Sequence, residues 1–340
     1  MANATILHVD CDKPYHYFYY MKHLSILVLK AGSMTGIDGC LQLFNRANDF
    51  LKYHGKEAFY QVELVGFEKN MRINESAYII QPHKLLQEVE KTDIIVIPPI
   101  CGDFPSIIKA NENYNNWIID QYNKGTEIAS LCVGAFYLAS TGLLDGKKCA
   151  THWAAANEFK KMFPAVKLLD DKIITDDNGI YTSGGSYSYL NLLLYIIEKH
   201  LGREMSVLAS KMFEIDIERK NQSRFAIFLG QKQHDDEAVV NAQEFIERTY
   251  QDKITVDELS KKYAVARRTF ERRFKKSTGN SIIEYIQRVR IEAAKRQLET
   301  CNKTVNEIIY DVGYADINAF RNIFRKYTGL SPVDYRNKYK

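Results

Sequence analysis

The last hundred residues repeat themselves, and an internal repeat limits the possible folds more than any other feature of the chain. Val256-Asp-Glu-Leu259 returns as Val305-Asn-Glu-Ile308, and Phe270 and Phe274 return as Phe320 and Phe324. Thr278-Gly279 returns as Thr328-Gly329, and Tyr285 as Tyr335. The first match is offset by 49 residues and the others by 50, so the second copy holds one extra residue in its turn. Each copy reads as two helices about that turn. A capping box opens the first helix, Thr255 with Glu258 and Thr304 with Glu307, in which hydroxyl and carboxylate satisfy reciprocal backbone donors. Tyr263–Ala266 and Asp311–Tyr314 supply the turns, and Gly313 is able to take a positive φ. Asp316 is placed to cap the second helix of copy two; Ala266 in copy one is a poorer cap.

Helical geometry separates core from surface. Phe270 and Phe274 fall within about 40° of each other and form a buried stripe. The opposite face carries Arg268, Arg272, Lys275 and Lys276, with Thr269 and Glu271 at its edges. Copy two buries Phe320, Ile323 and Phe324 and presents Asn318, Asn322, Arg325 and, nearer the edge, Arg321. A basic face on a single helix is usually just a solvated face. Two of them, each second in a helix-turn-helix, point to DNA, because Arg and Asn read guanine and adenine edges. The long helix expected over Ser281–Thr300 would hold the modules at a fixed separation, and recognition helices roughly 34 Å apart enter successive major grooves.

Residues 236–340 resemble the AraC/XylS DNA-binding domain, including Arg288-Val-Arg-Ile-Glu-Ala-Ala-Lys295 and the closing Gly329-Leu-Ser-Pro332. The resemblance implies base contacts from Arg268, Glu271 and Arg272 in the first module. In the second it implies them from Ile317, Asn318, Arg321 and Asn322. Arg290, Lys326, Lys338 and Lys340 are expected to touch phosphate or solvent.

Charge divides the chain in the same place. From Asp235 onward there are 21 Lys+Arg against 16 Asp+Glu, leaving 25 against 26 before it. A near-neutral body thus carries a basic tail, which fits a polyanionic partner. No apolar run reaches the roughly 18 residues needed to span a bilayer. The N-terminus lacks a signal peptide's order of segments. Six cysteines without paired spacing are expected to be thiols in a reducing cytoplasm. Residues 1–20 stand apart; the run from Met21 reads like a natural start, or the segment before it adds an edge strand. His8, Cys11, His16 and His23 match no closed metal site, so neither metal nor cofactor is expected.

The first two hundred residues alternate short apolar runs with amphipathic stretches. Strands are expected at 25–30, 60–66, 93–97, 126–131, 172–175 and 180–182. Helices are expected at 39–52, 114–123, 133–141, 154–162 and 187–200. Such alternation gives an α/β fold, a mostly parallel sheet sandwiched by helices. Ligands of such sheets sit beyond the carboxyl ends of the strands. The segments landing there are 31–37, 98–103, 132–133 and 183–187.

Within Glu127–Ala139 a buried strand stops at Cys132 and turns into a helix, with Gly134 and Ala135 small enough for a tight turn. A thiol at a helix start feels that helix's positive end, which lowers its pKa. Ser130-Leu-Cys-Val-Gly-Ala-Phe136, Leu143-Leu-Asp-Gly146, Thr151-His-Trp153 and Thr182-Ser-Gly-Gly185 resemble the PfpI-like domain of the class I glutamine amidotransferase-like fold. The whole is most similar to GlxA-type transcription regulators. Val133 stands where hydrolytic members of the fold have a histidine. Where deglycase-like members supply a glutamate, the loop 32–38 offers only Asp38. His152 is read first as a residue that orders its loop or binds ligand, and as a base only if the protein is an enzyme.

The organisation expected is an N-terminal extension (1–20), a PfpI-like sensing domain (21–215), a linker (216–235) and an AraC-type domain with two helix-turn-helix modules (236–340). The function expected is that of a homodimeric, sequence-specific transcription regulator that binds double-stranded DNA and a small-molecule effector. The resemblance implies a nitrogenous metabolite, held near Asp38, Gly102, Cys132, Val133, His152, Ser183, Gly184 and Tyr187. The alternatives are a DNA-tethered hydrolase or deglycase acting through Cys132, and a redox sensor built on that thiol.

Overall fold

The computed structural model of the protein describes residues 20–73, 77–217, 221–232 and 234–340. The expectations for residues 1–19, including His8, Cys11 and His16, lie outside them.

The α/β part runs β1 (Lys22–Leu27), α1 (Met34–Tyr53), β2 (Tyr60–Gly66), β3 (Met71–Ile73), β4 (Tyr78–Ile80), β5 (Lys84–Leu85) and β6 (Ile94–Ile97). It continues with α2 (Phe104–Ala110), α3 (Asn115–Asn123), β7 (Glu127–Ser130), α4 (Gly134–Ser140), β8 (Lys148–Cys149), α5 (Ala156–Met162) and β9 (Lys167–Leu168). Then follow β10 (Ile174–Asp177), β11 (Ile180–Ser183), α6 (Tyr189–Leu201) and α7 (Arg203–Met212). Seven strands form one sheet in the order β10-β11-β7-β6-β1-β2-β5. Every pairing in it is parallel except β10 with β11, a hairpin turning at Asn178-Gly179.

Strand β1 shows why the sheet is covered on both sides. Leu24, Ile26 and Val28 point into a core shared with α1, α6 and α7. Leu27 and Leu29 point into a second core with α2, α3, α4 and α5. Period-two alternation with both sets apolar requires helices on both faces.

Helix α1 begins at Met34, five residues before the expected start. Gly36, read as part of a loop, and Gly39, read as the first helical residue, both serve close packing. A Cβ at Gly36 would lie 2.5 Å from Pro99 Cδ, and one at Gly39 would lie 2.5 Å from the Tyr189 hydroxyl. The β3–β4 hairpin, β5, the β8–β9 pair, α2 and α7 have no counterpart in the sequence reading.

The tail is helical: α8 (Glu237–Thr249), α9 (Val256–Lys262), α10 (Arg267–Thr278), α11 (Ile282–Thr300), α12 (Val305–Asp311), α13 (Ile317–Thr328) and α14 (Pro332–Tyr339). Both expected capping boxes form, and Ser281 with Glu284 makes a third at the start of α11. Asp316 caps α13 by accepting from Asn318 N at 2.8 Å and Ala319 N at 3.0 Å; Ala266 offers α10 no side-chain cap. Two separate cores result. Ile282, Tyr285 and Ile286 of α11 pack with Phe270 and Phe274. Ile291, Ala294 and Leu298 of the same helix pack with Phe320 and Phe324. The apolar stripe of α11 therefore passes from one module to the other along its length.

Candidate functional site

The elbow forms as the small residues require. Strand β7 ends at Ser130, Cys132 takes φ +53°, and α4 starts at Gly134. A Cβ at Gly134 would stand 2.6 Å from the Pro98 carbonyl, so the strand-to-helix turn depends on glycine there. Three segments meet at the elbow backbone. Cys132 N–H donates to Ser183 Oγ at 3.0 Å, and Thr151 Oγ donates to the Cys132 carbonyl at 3.1 Å.

The thiol is not activated. Cys132 is buried, and burial pushes its pKa up to about 12; a hydrogen bond from the Val133 backbone opposes this only in part. The sequence expectation of a lowered pKa is thus overturned, because desolvation of the thiolate outweighs the favourable helix start. His152 is engaged elsewhere. Its Nδ1 accepts from Ala154 N at 3.1 Å, its ring tilts against Trp153 at 5.3 Å, and burial lowers its pKa, keeping it neutral. It caps the short turn 153–155. Among the described residues no hydrogen bond joins it to Cys132.

The remaining expected ligand residues fall into two groups. Val133 is half-buried at the head of α4, and Ser183 and Gly184 are buried at the end of β11. Asp38 lies on α1, not on a loop; it is half-buried and accepts from Gln42 Nε2 at 2.8 Å. Tyr187 is exposed, and Gly102 is exposed with φ +124°.

Three residues near the site escaped sequence reasoning. Tyr189 donates to the Thr35 carbonyl at 2.9 Å, and its hydroxyl pKa is raised by burial, with Cys40, Tyr187 and Asp38 adding to it. Cys101 is exposed and close enough for its charge to raise the Cys132 thiol further. Gln222 is fully buried and hydrogen-bonds the 151–153 loop. Neither cysteine nor glutamine in a polar context announces such a place.

In the tail, α10 exposes Arg268, Glu271 and Arg272, and α13 exposes Asn318, Arg321 and Asn322 with Ile317 half-buried beside them. Arg268, Arg272, Arg321 and Asn322 have no side-chain partner among the described residues. Glu271 differs, standing 3.5 Å from Arg267, which also grips Asp257 at 2.9 Å. Three residues expected to touch phosphate or solvent are otherwise committed. Arg290 donates to the Tyr250 and Asp252 carbonyls, Lys340 donates to the Cys301 carbonyl, and Lys338 lies over the Phe225 ring at 5.9 Å. Arg290 fastens the end of the α8 segment to α11, which a sequence cannot distinguish from a surface arginine.

The chain matches a helix-turn-helix domain family over residues 259–338 and the DJ-1/PfpI family over residues 44–199. The HTH-type transcriptional regulator GbdR of Pseudomonas aeruginosa is 27% identical over 241 residues, 70% of this chain and 65% of that one. The chain joins a DJ-1/PfpI domain to an AraC-type helix-turn-helix domain. GlxA of Rhizobium meliloti, an HTH-type transcriptional regulator, is 24% identical over 63% of this chain and 66% of its own. The match thus spans less than two thirds of the length of these relatives. A crystal structure of a Vibrio parahaemolyticus protein described as a transcriptional regulator has a TM-score of 0.51 at 23% identity. It covers 57% of this chain and 99% of its own, and so shows the α/β fold.

Proposed function

We propose that the protein is a sequence-specific DNA-binding transcription regulator whose α/β domain senses a small metabolite. The observation that carries the DNA reading is the pair of recognition faces on α10 and α13. Each exposes Arg or Asn side chains without side-chain partners among the described residues, and each is set on a separately packed module. Arg268, Glu271 and Arg272, with Ile317, Asn318, Arg321 and Asn322, are the base-reading set. The sensing domain spans 21–215, the linker 216–235 and the DNA-binding domain 236–340.

Binding without catalysis is the reading favoured for the elbow. Acyl transfer needs a nucleophile, a base and an orienting group within hydrogen-bond reach. A protonated Cys132, with Val133 beside it and His152 engaged as a cap, supplies none of these pairings. The effector is a nitrogenous metabolite, an amino acid or quaternary amine. The Asp38 carboxylate and the exposed Tyr187 ring, grouped about Tyr189, suit a cation. A homodimer in the cytoplasm completes the proposal. Among the described residues no helix is long and apolar enough to cross a membrane.

Two measurements test this. Selection from a random duplex pool is expected to yield a motif that the full chain binds with strong salt dependence. A metabolite screen by thermal shift, followed by mass spectrometry of each hit, is expected to return a stabilising compound unchanged. Consumption of the compound by the wild type but not by Cys132→Ser would make the elbow an active site. The absence of any selected motif would sink the DNA reading.

A further inference from the structure

The linker is no loose tether. Its one fully buried side chain among the described residues, Gln222, is inserted into the floor of the sensing site. The amide oxygen accepts from Trp153 N at 3.1 Å. The amide nitrogen lies 2.8 Å from the Thr151 carbonyl, 3.0 Å from that of Asp170 and 3.2 Å from that of Lys172, so two N–H groups serve three acceptors. The backbone adds a hydrogen bond from Gln222 N to the Asp171 carbonyl at 2.8 Å and a bridge between Asn221 and Lys172. Gly184 completes the seat: a Cβ there would stand 2.4 Å from the Gln222 amide nitrogen.

Beyond Gln222 the chain is fastened to the DNA-binding domain at successive points. Lys295 donates to the Ala226 carbonyl at 2.7 Å, and Phe228 N–H donates to the Glu292 carboxylate at 3.2 Å. Lys295 and Glu292 are themselves a buried pair at 2.9 Å. A buried ion pair is retained at little net gain unless its remaining hydrogen-bond capacity is used. Here that capacity is spent on the linker backbone. The Phe228 ring packs on Tyr285, and Gln231 takes hydrogen bonds from Asn280 and Gln243 of the first module. Asn221 lies beside Gly329, at the end of the second recognition helix.

These two sets of contacts share one backbone. Thr151 holds the Cys132 carbonyl through its hydroxyl and is held by Gln222 through its own carbonyl. An effector that shifts the 151–153 loop must therefore carry Gln222 with it or break its hydrogen bonds. We propose that Gln222 is the positioning residue that couples the sensing site to the DNA-binding domain, through the linker segment 221–231 clamped on α11. This rests on the metabolite-sensing reading above. It adds to that reading the route by which the two states of the site become two states of the tail.

The test needs no metabolite, because substitutions on either side stand in for one. Hydrogen–deuterium exchange by mass spectrometry is followed on the full chain. Gln222→Ala and Gly184→Ala, the second made wholly within the α/β domain, are expected to speed exchange in residues 226–232 by about tenfold. Coupling is reciprocal. Glu292→Gln, made wholly within the tail, is therefore expected to speed exchange at 131–134 and 151–153. Gln222→Asn keeps the amide but falls one methylene short, and it replaces the alanine variant if that fails to fold. Effects confined to the domain that carries the substitution would overturn the proposal. Such confinement alongside a metabolite that still shifts wild-type melting would leave the sensing reading standing. Reciprocal exchange with no metabolite found would do the reverse.

Discussion

Tyr285 and Tyr335, fifty residues apart, occupy one position in two successive modules. The Tyr285 hydroxyl donates to Glu247 at 2.7 Å, and the Tyr335 hydroxyl donates to Glu299 at 2.6 Å. Helix α11 carries the tyrosine of the first pair and the glutamate of the second. It is thus the closing helix of one module and the opening helix of the next, standing to module two as α8 stands to module one.

The recognition faces give the most direct prediction. Arg272→Ala and Asn322→Ala are each expected to weaken binding to a selected operator by about 1–3 kcal/mol and to relax preference at one base position. Melting temperature should stay put, because both side chains are exposed. Fluorescence anisotropy on operator and scrambled duplexes reads both quantities; unchanged preference would mean that other residues read the bases.

Both turns favour glycine, and opposite exchanges at them show it. Ala264 sits at φ +53° and Gly313 at φ +84°. Ala264→Gly relieves a left-handed alanine and is expected to stabilise the domain by up to about 1 kcal/mol. Gly313→Ala would bring a Cβ to 2.4 Å from the Gln251 carbonyl and is expected to cost more than about 1 kcal/mol. Urea melts of the two variants check the signs.

Acid stability should depend on Glu127. Burial alone would raise its pKa, but hydrogen bonds from His200 at 2.9 Å and Tyr181 at 2.9 Å, with the His200 and Lys199 charges, bring it down to about 2. A folded pKa below the unfolded value contributes stability above pH 4.5 that is lost as pH falls towards 2. Glu127→Gln is expected to lose on the order of 2 kcal/mol at pH 7 and to flatten the acid limb of the stability profile.

Cys132 should behave as a protonated thiol. Iodoacetamide at pH 8 is expected to label the exposed Cys101 well before Cys132, whose rate should climb with pH without levelling below 10. A pKa raised from 9 to about 12 contributes stability that is intact below pH 9 and lost as pH rises towards 12. The stability gap between wild type and Cys132→Ala should therefore narrow above pH 9. Fast labelling of Cys132 at neutral pH would reopen the enzyme reading.

What the sequence disclosed and what it hid follow from the range of the interactions. Capping boxes and the Phe270/Phe274 spacing are local, so the modules, their caps and their buried stripes could be read from the chain. The elbow was legible for the same reason: a strand, a cysteine and Gly134 within a few residues. Cys132's protonation was not, since its burial depends on segments far along the chain, those of Thr151 and Ser183, meeting it. Gln222 left no trace, because its partners are backbone carbonyls from two distant segments and any side chain could precede or follow them. The first turn of α1 was read as loop, because the packing of Pro99 on Gly36 and of Tyr189 on Gly39 joins segments far apart in the chain.

Helix α11 acts as a ruler. Its 19 residues give a rigid span of about 28 Å. On the proposed function, a clamp of one length imposes a grammar on the DNA. The two boxes of an operator must keep both their distance and their rotational phase. Inserting about five base pairs between them turns the second box to the opposite side of the double helix, where α13 cannot follow. Inserting a full turn restores the phase and still leaves the second box out of reach.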